Sequence, residues 1–408
     1  MTKTKFNPYQ FRKQFKWFKN NPQWVNFDNA ATSIALDIVS QACKEYYELF
    51  SVNPHNKTPD LNNQIIAIIA ETRQLVADWF NVTAPEIIFT SSATESINLF
   101  AHGLKPWIKP GDEIVLKGDE HSANVLPWVA LAKQTKARLV WVEKQANQSL
   151  EDTFKSLINP KTKVVAITAT SNLFGNSIDF AQIADYLKQV NPKAFVAVDA
   201  VQTVQHKQID IAKTQIDFLA FSTHKFYGPT GLGVAYIKKS LQPQLQPLKL
   251  GGDIFTQIDP DNTIHFKSTP LKFEAGTPNI MAIYALNKLL RFFKQKFNFA
   301  QMMAYGHQLK QQAYELLNSN PQIVLANHDQ DVPIFSFKHR QLATIDLATF
   351  LNINKIMVRQ GSICVGRYRN KDYFVRVSLM HYNTVKELQY LAKLLATDTK
   401  TIIKNVIK

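Results

Sequence analysis

The sequence predicts an α/β protein, with a three-layer α/β/α large domain built on a mostly parallel sheet and a smaller α+β domain beside it. Three observations support this. Short apolar runs alternate with longer stretches whose apolar residues recur at helical spacing, as in strand–crossover–strand units. The runs ending at Asp199 and Ser222 are continuously apolar rather than alternating, which suits strands buried on both faces. Thr94, His121, Asn172, Asp199 and Lys225 each follow such a run, and ligands of open α/β sheets bind beyond the carboxyl ends of the strands.

The elements follow in order. A helical pattern over 37–50 gives way to SVNPHNKTPDLNN, whose Asn, Pro and Asp content marks a loop containing His55. Residues 64–80 predict an amphipathic helix. The strand at Ile87-Ile88-Phe89 runs into TSSATES, where a helix starts near Thr94, and the free amides of a helix N-terminus favour an anion. EIVLKGDEH predicts a strand ending near His121. Residues 139–143 and 164–170 predict two more strands, with a helical stretch between them ending at Asn159-Pro160. The stretch 251–279 lacks periodicity and reads as a long functional loop. A helix is expected over 280–295, and VPIFSFKH and FVRVSL supply strands of the smaller domain. The expected division is 20–285 for the large domain and 1–19 plus 286–408 for the small one.

The length of 408 residues and an apolar content of 45% suit a large core. No apolar run reaches the span of a bilayer, and the basic, aromatic first residues lack a signal-peptide core, so a cytoplasmic location is expected. The net charge of +15 is spread along the chain without blocks, a basic solvated surface rather than a nucleic-acid site. The two cysteines, Cys43 and Cys364, are too few for a disulfide framework or a zinc site. Cys43 lies in an amphipathic stretch and reads as a packing residue, and His206 as a surface residue.

The stretch from Phe195 to Gly231 organises the chain. It delivers Asp199 and Lys225 to one sheet edge, with Ser222 and His224 beside the lysine and Gly228 and Gly231 allowing sharp turns. An amine facing a carboxylate, with hydroxyl and imidazole donors nearby, is what pyridoxal 5'-phosphate (PLP) requires. The lysine forms a Schiff base, the aspartate keeps the pyridine nitrogen protonated, and the donors hold the phosphate.

DAVQ and STHKFYGPTG resemble the PLP-dependent class V aminotransferase-like enzymes, most closely cysteine desulfurases of the SufS (NifS-like) type. The resemblance runs from NFDNAAT to MHYNT and implies the aspartate aminotransferase-like fold, fold type I. It implies that Thr94 and the Ala93 amide bind phosphate with Ser222 and His224, and that Gln202 meets the phenolic oxygen. His121 would stack on the ring, and Asn172 would lie near the cofactor and the substrate carboxylate. Thr277, in FEAGTPN, would reach the phosphate of a neighbouring subunit, making a homodimer. The R-x-G-x-x-C spacing from Arg359 to Cys364, with Arg376 beyond it, matches the type's nucleophile and carboxylate clamp. Where the type carries His-Arg-Gly after the first helix, this chain has His55-Asn56-Lys57. Where two histidines often precede the cysteine, it has Ser362-Ile363, so Arg359, Arg367 and Arg369 are the nearby positive groups.

The implied reaction converts L-cysteine to L-alanine, leaving a persulfide on Cys364. The sulfur would pass to an acceptor of the SufU/SufE or IscU-like type, for iron-sulfur clusters, thio-cofactors or tRNA. The same Lys, Asp and Arg would serve selenocysteine lyase, kynureninase or aminotransferase chemistry, and a degenerate scaffold could serve as a basic binding protein. No metal is expected.

Overall fold

The computed structural model describes residues 6–56, 58–143, 145, 147–268, 270–361, 363 and 373–407. Seven strands make the central sheet: β1 (Ile87–Thr90), β2 (Glu113–Lys117), β3 (Arg138–Val142), β4 (Thr162–Thr168), β5 (Phe195–Asp199), β6 (Phe218–Ser222) and β7 (Gly233–Ile237). Their order is β1-β7-β6-β5-β4-β2-β3. Neighbours are parallel except at β7, which runs antiparallel to both β1 and β6. The Thr223–Leu232 link folds β6 back into β7 without a crossover helix, which a parallel neighbour would need.

Strand side chains alternate between two apolar layers, as the pleat requires. In β5, Val196 and Val198 enter one layer while Phe195 and Ala197 enter the other. The covering helices are α1 (Asp37–Glu45), α2 (Asp60–Phe80), α3 (Ala93–Gly103), α4 (Leu126–Thr135), α5 (Leu150–Leu157), α6 (Phe180–Val190) and α7 (Ile280–Lys296). Phe100 of α3 and Trp128 of α4 fill the second layer, and the other five helices fill the first. Helix α2 stops where Asn81 takes a left-handed conformation at φ 56°. No described helix is long and apolar enough to cross a membrane.

Within 251–279, expected to be irregular, the chain forms a hairpin of β8 (Phe255–Ile258) and β9 (Ile264–Phe266). Strand β8 is exposed along its whole length, so it has no buried face to generate an alternating pattern.

The smaller domain contains an antiparallel sheet of β10 (Ile323–Leu325), β11 (Ile334–His339), β12 (Arg359–Gly361) and β13 (Phe374–Ser378), ordered β10-β11-β13-β12. Helices α8 (Phe299–Asn318), α9 (Thr344–Ile353), α10 (Val385–Leu395) and α11 (Thr399–Ile407) pack on it around Phe335, Phe337, Val375 and Val377. Helix α7 buries Ile283, Leu286, Leu289 and Phe293 in the large-domain core, so the expected boundary at 285 falls inside one continuous helix. Phe11 and Phe15 of the N-terminal arm join that core, packing edge-on or tilted against Tyr227.

Candidate active site

Asp199 ends β5, and Lys225 follows the end of the adjacent β6 after one tight turn, Thr223–Lys225. Buried Thr223 builds that turn. Its hydroxyl donates to the carbonyls of Pro229 (2.6 Å) and Leu232 (3.1 Å), and its own carbonyl accepts from the Gly228 N–H at 3.0 Å. A Cβ at Gly228 would lie 2.8 Å from that carbonyl, so close backbone approach requires glycine there. Gly231, at φ +74°, is the position that needs left-handed freedom.

Asp199 is buried, and its Oδ1 accepts from the Val201 N–H at 3.0 Å. Burial raises its pKa, opposed by that hydrogen bond and by the positive charge of Lys225. Burial, with the charges of Lys225 and Arg376, lowers the pKa of His121 to about 4. Its Nδ1 accepts from the Ala123 N–H at 3.1 Å, which leaves the proton of the neutral ring on Nε2. His224 is likewise lowered to about 4, by burial and Lys225, and its Nδ1 lies 3.1 Å from Thr32 Oγ1. Asp199, His121 and His224 therefore all sense the charge of Lys225.

At the start of α3, the Ala93 N–H donates to Ser222 Oγ at 2.9 Å, so the helix terminus and the end of β6 converge. Ser92 caps the helix and Thr94 is exposed in its first turn. Glu95, whose charge would oppose a phosphate, is 2.5 Å from Lys249 and also bonded to Ser91, which lowers its pKa despite burial. This donor set suits an anion at the helix terminus, and the Lys225–Asp199 pair suits an aldehyde-bearing heterocycle. The residues fit PLP. Gln202 Nε2 donates to the Ala30 carbonyl at 2.8 Å while its Oε1 accepts from Gln205 at 3.2 Å. Thr277 is exposed, lining a cavity of about 210 Å³ with Ser91, Glu95 and Lys249.

Arg376, in β13, is buried. Nη1 donates to the Asn172 carbonyl at 2.9 Å and Nη2 pairs with Asp28 at 2.8 Å. Asn172 Nδ2 donates to the Ile363 carbonyl at 3.1 Å, tying the β4 loop to the residue before Cys364. Cys364, Ser362, Arg367, Arg369 and Lys57 lie outside the described residues. His55 pairs with Asp253 at 2.9 Å beside Lys267. Cys43 is half-buried against the large core, where burial raises its pKa.

His206 corrects the sequence reading. Rather than standing on the surface, it is half-buried with its ring 5.9 Å from that of His381, and burial lowers its pKa. Other residues gave no usable signal. Asp28 reaches Arg376 across 348 positions. Glu120 is buried and accepts from the Thr168 N–H (3.0 Å), the Thr168 hydroxyl and Asn124 Nδ2 (2.8 Å), and burial raises its pKa to about 7. Only the acidic DNAA and EH segments hinted at either.

The aminotransferase class-V family profile matches residues 25–391. A probable cysteine desulfurase of Mycoplasma genitalium is 62% identical over 407 residues, covering 100% of both chains. One of Ureaplasma parvum is 37% identical, covering 94% of this chain and 96% of the relative. Among solved structures, a cysteine desulfurase of Escherichia coli superposes with a TM-score of 0.88 at 29% identity, covering 98% of this chain and 99% of that one. The apo cysteine desulfurase of Thermococcus onnurineus gives 0.89 at 29%, covering 97% and 98%. A match along this length, on a sheet whose strand ends gather the lysine, the aspartate and the hydroxyl and imidazole donors beside them, shows that the chain belongs to the class-V aminotransferase family of PLP-dependent enzymes.

Proposed function

We propose that this chain is a PLP-dependent cysteine desulfurase that converts L-cysteine to L-alanine and carries the released sulfur as a persulfide on Cys364. The observation that carries the reading is the placement of Asp199 and Lys225 at the ends of adjacent parallel strands, with their charges coupled. Relatives named as cysteine desulfurases over the full length supply the substrate and favour this over selenocysteine lyase, kynureninase or aminotransferase chemistry.

When bound, PLP supplies an aldehyde that captures amines and a ring that takes up the electrons released at the substrate α-carbon. Lys225 would hold the aldehyde through Nζ and, once freed by the substrate amine, would serve as the base for the α-proton. Buried Asp199 would pair with the ring nitrogen and keep its proton in place. Ser222, His224 and Thr94 would hold the phosphate, the Ala93 amide, expected to do the same, instead donating to Ser222 Oγ and so orienting that hydroxyl, and Gln202 would meet the phenolic oxygen. Neutral His121 would stack on the ring without adding a third positive charge beside Lys225 and Arg376. Arg376 offers its planar fork to the substrate carboxylate, with Asn172 beside it. The Cys364 thiolate would attack the substrate sulfur, forming an S–S bond as the Cβ–S bond breaks, and the electron pair left on Cβ would take up a proton to give the methyl group of L-alanine.

The exposed hairpin carrying Phe255, Ile258 and Ile264, close in sequence to Thr277, supports a homodimer in which Thr277 reaches the partner's phosphate. A cleft of about 310 Å³ lined by Phe174 and Ala326, which pack beside Ile363 and Phe374, supports delivery of sulfur to an acceptor of the SufU/SufE or IscU-like type. That delivery would feed iron-sulfur cluster, thio-cofactor or tRNA synthesis. A reactive thiol of this kind suits the reducing cytoplasm.

The test is incubation of the PLP-loaded protein with L-cysteine, followed by intact mass and an alanine assay. The reading predicts one sulfur atom added at Cys364, and loss of both sulfur and alanine in Cys364→Ser with PLP binding retained. Sulfur release undiminished in Cys364→Ser would contradict it.

A further inference from the structure

Two residues beyond Lys225, Tyr227 takes φ +59°, a left-handed conformation that a bulky side chain adopts only when its surroundings enforce it. Its ring is fully buried, and its hydroxyl lies 2.6 Å from Nδ1 of equally buried His381. The Tyr227 N–H donates to Ser33 Oγ at 2.8 Å. Ser33 in turn holds the His224 carbonyl, through its hydroxyl and its N–H, both at 3.0 Å. The backbone on both sides of Lys225 is thus pinned.

His381 sits three residues past Ser378, the last residue of β13, the strand that carries Arg376. Its Nε2 is buried with no hydrogen-bond partner among the described residues, and a Cβ on Gly306 would approach it to 3.3 Å. Phe6 and His206 complete the surroundings of the ring. An unpaired ring nitrogen costs stability that an apolar residue here would not, so packing alone gives no reason for a histidine. What the histidine does provide is one buried polar link between the loop of Lys225 and the strand of Arg376.

We propose that the Tyr227–His381 hydrogen bond is a tie that sets the spacing between Lys225 and Arg376, so that Tyr227 and His381 are positioning residues for substrate capture. It holds the amine that anchors the cofactor in register with the guanidinium that takes the substrate carboxylate. The tie rests on the roles of Lys225 and Arg376 proposed above.

The experiment compares PLP-loaded wild type, Tyr227→Phe, His381→Leu and the double variant. The readouts are steady-state kinetics with L-cysteine, visible circular dichroism of the bound cofactor and thermal melting. Tyr227→Phe keeps the ring and its packing while removing the link. The tie predicts that each single variant loses about tenfold in kcat/KM, carried by a higher KM, the scale of one buried hydrogen bond left unmade. The visible band should change because the ring is held at an altered tilt, and the double variant should lose no more than either single one. Kinetics and visible band unchanged in Tyr227→Phe would overturn the tie, even if its melting temperature falls, and so would losses that add in the double variant. An inactive wild type would instead count against the desulfurase reading, which separates the two failures. Should His381→Leu fail to fold, Tyr227→Phe and His381→Asn carry the same comparison.

Discussion

Asp28 and Arg376, 348 positions apart, form an ion pair of 2.8 Å whose guanidinium is almost wholly buried. Asp28 comes from the NFDNAAT segment, which also binds β13 through the Ala30 N–H to Ser378 Oγ at 2.8 Å and Asn29 Nδ2 to the Ser378 carbonyl at 2.7 Å. The residue proposed to clamp the substrate carboxylate is therefore oriented by a carboxylate from the other end of the chain.

Asp28→Asn should destabilise the protein by about 2 kcal/mol, since it weakens the ion pair of a buried guanidinium that keeps its bond to the Asn172 carbonyl. A ligand carboxylate can replace the lost anion. Thermal melting with and without L-alanine should therefore show a larger ligand-induced gain in Asp28→Asn than in wild type. An equal gain in both would mean that the ligand carboxylate does not meet Arg376.

Stability should fall as pH drops through the interval from about 6.5 to about 4. His121, His224 and His381 have folded-state pKa values near 4, against an ordinary 6.5. Between those values the unfolded chain binds protons that the folded one refuses, so acid favours unfolding there, while above 6.5 these groups contribute no pH dependence. Urea unfolding at several pH values checks this, and His381→Leu should flatten the slope.

Glu120 works in the opposite sense. Its folded pKa near 7 lies above the usual 4.5, so its contribution is fully present below about 4.5 and is lost as pH rises toward 7. Glu120→Ala removes the acceptor shared by Thr168 and Asn124 and should cost about 2 kcal/mol through unpaired buried donors. Because Thr168 pairs with Asp199 across β4 and β5, the same variant should also weaken PLP retention, measured by dialysis and absorbance.

The large-domain sheet was legible because its central strands are buried on both faces and end in polar residues, which left a clear mark at Asp199 and Ser222. The hairpin β8–β9 was not, since an exposed ribbon has no apolar face. His206 was misread because a lone histidine in a polar link carries no sign of the buried His381 beside it. The Asp28–Arg376 and Tyr227–His381 pairs were invisible for a different reason: each joins distant segments, and spacing along the chain says nothing about such contacts. The resemblance implied roles for Lys225, Asp199 and Arg376, but it could not show what holds each in position.

The most direct test of the central claim is borohydride reduction of the PLP-loaded protein, followed by peptide mapping. The account predicts a single phosphopyridoxyl label, on Lys225, and weaker PLP retention in Asp199→Asn. A label on another lysine, or none in PLP-replete protein, would contradict it.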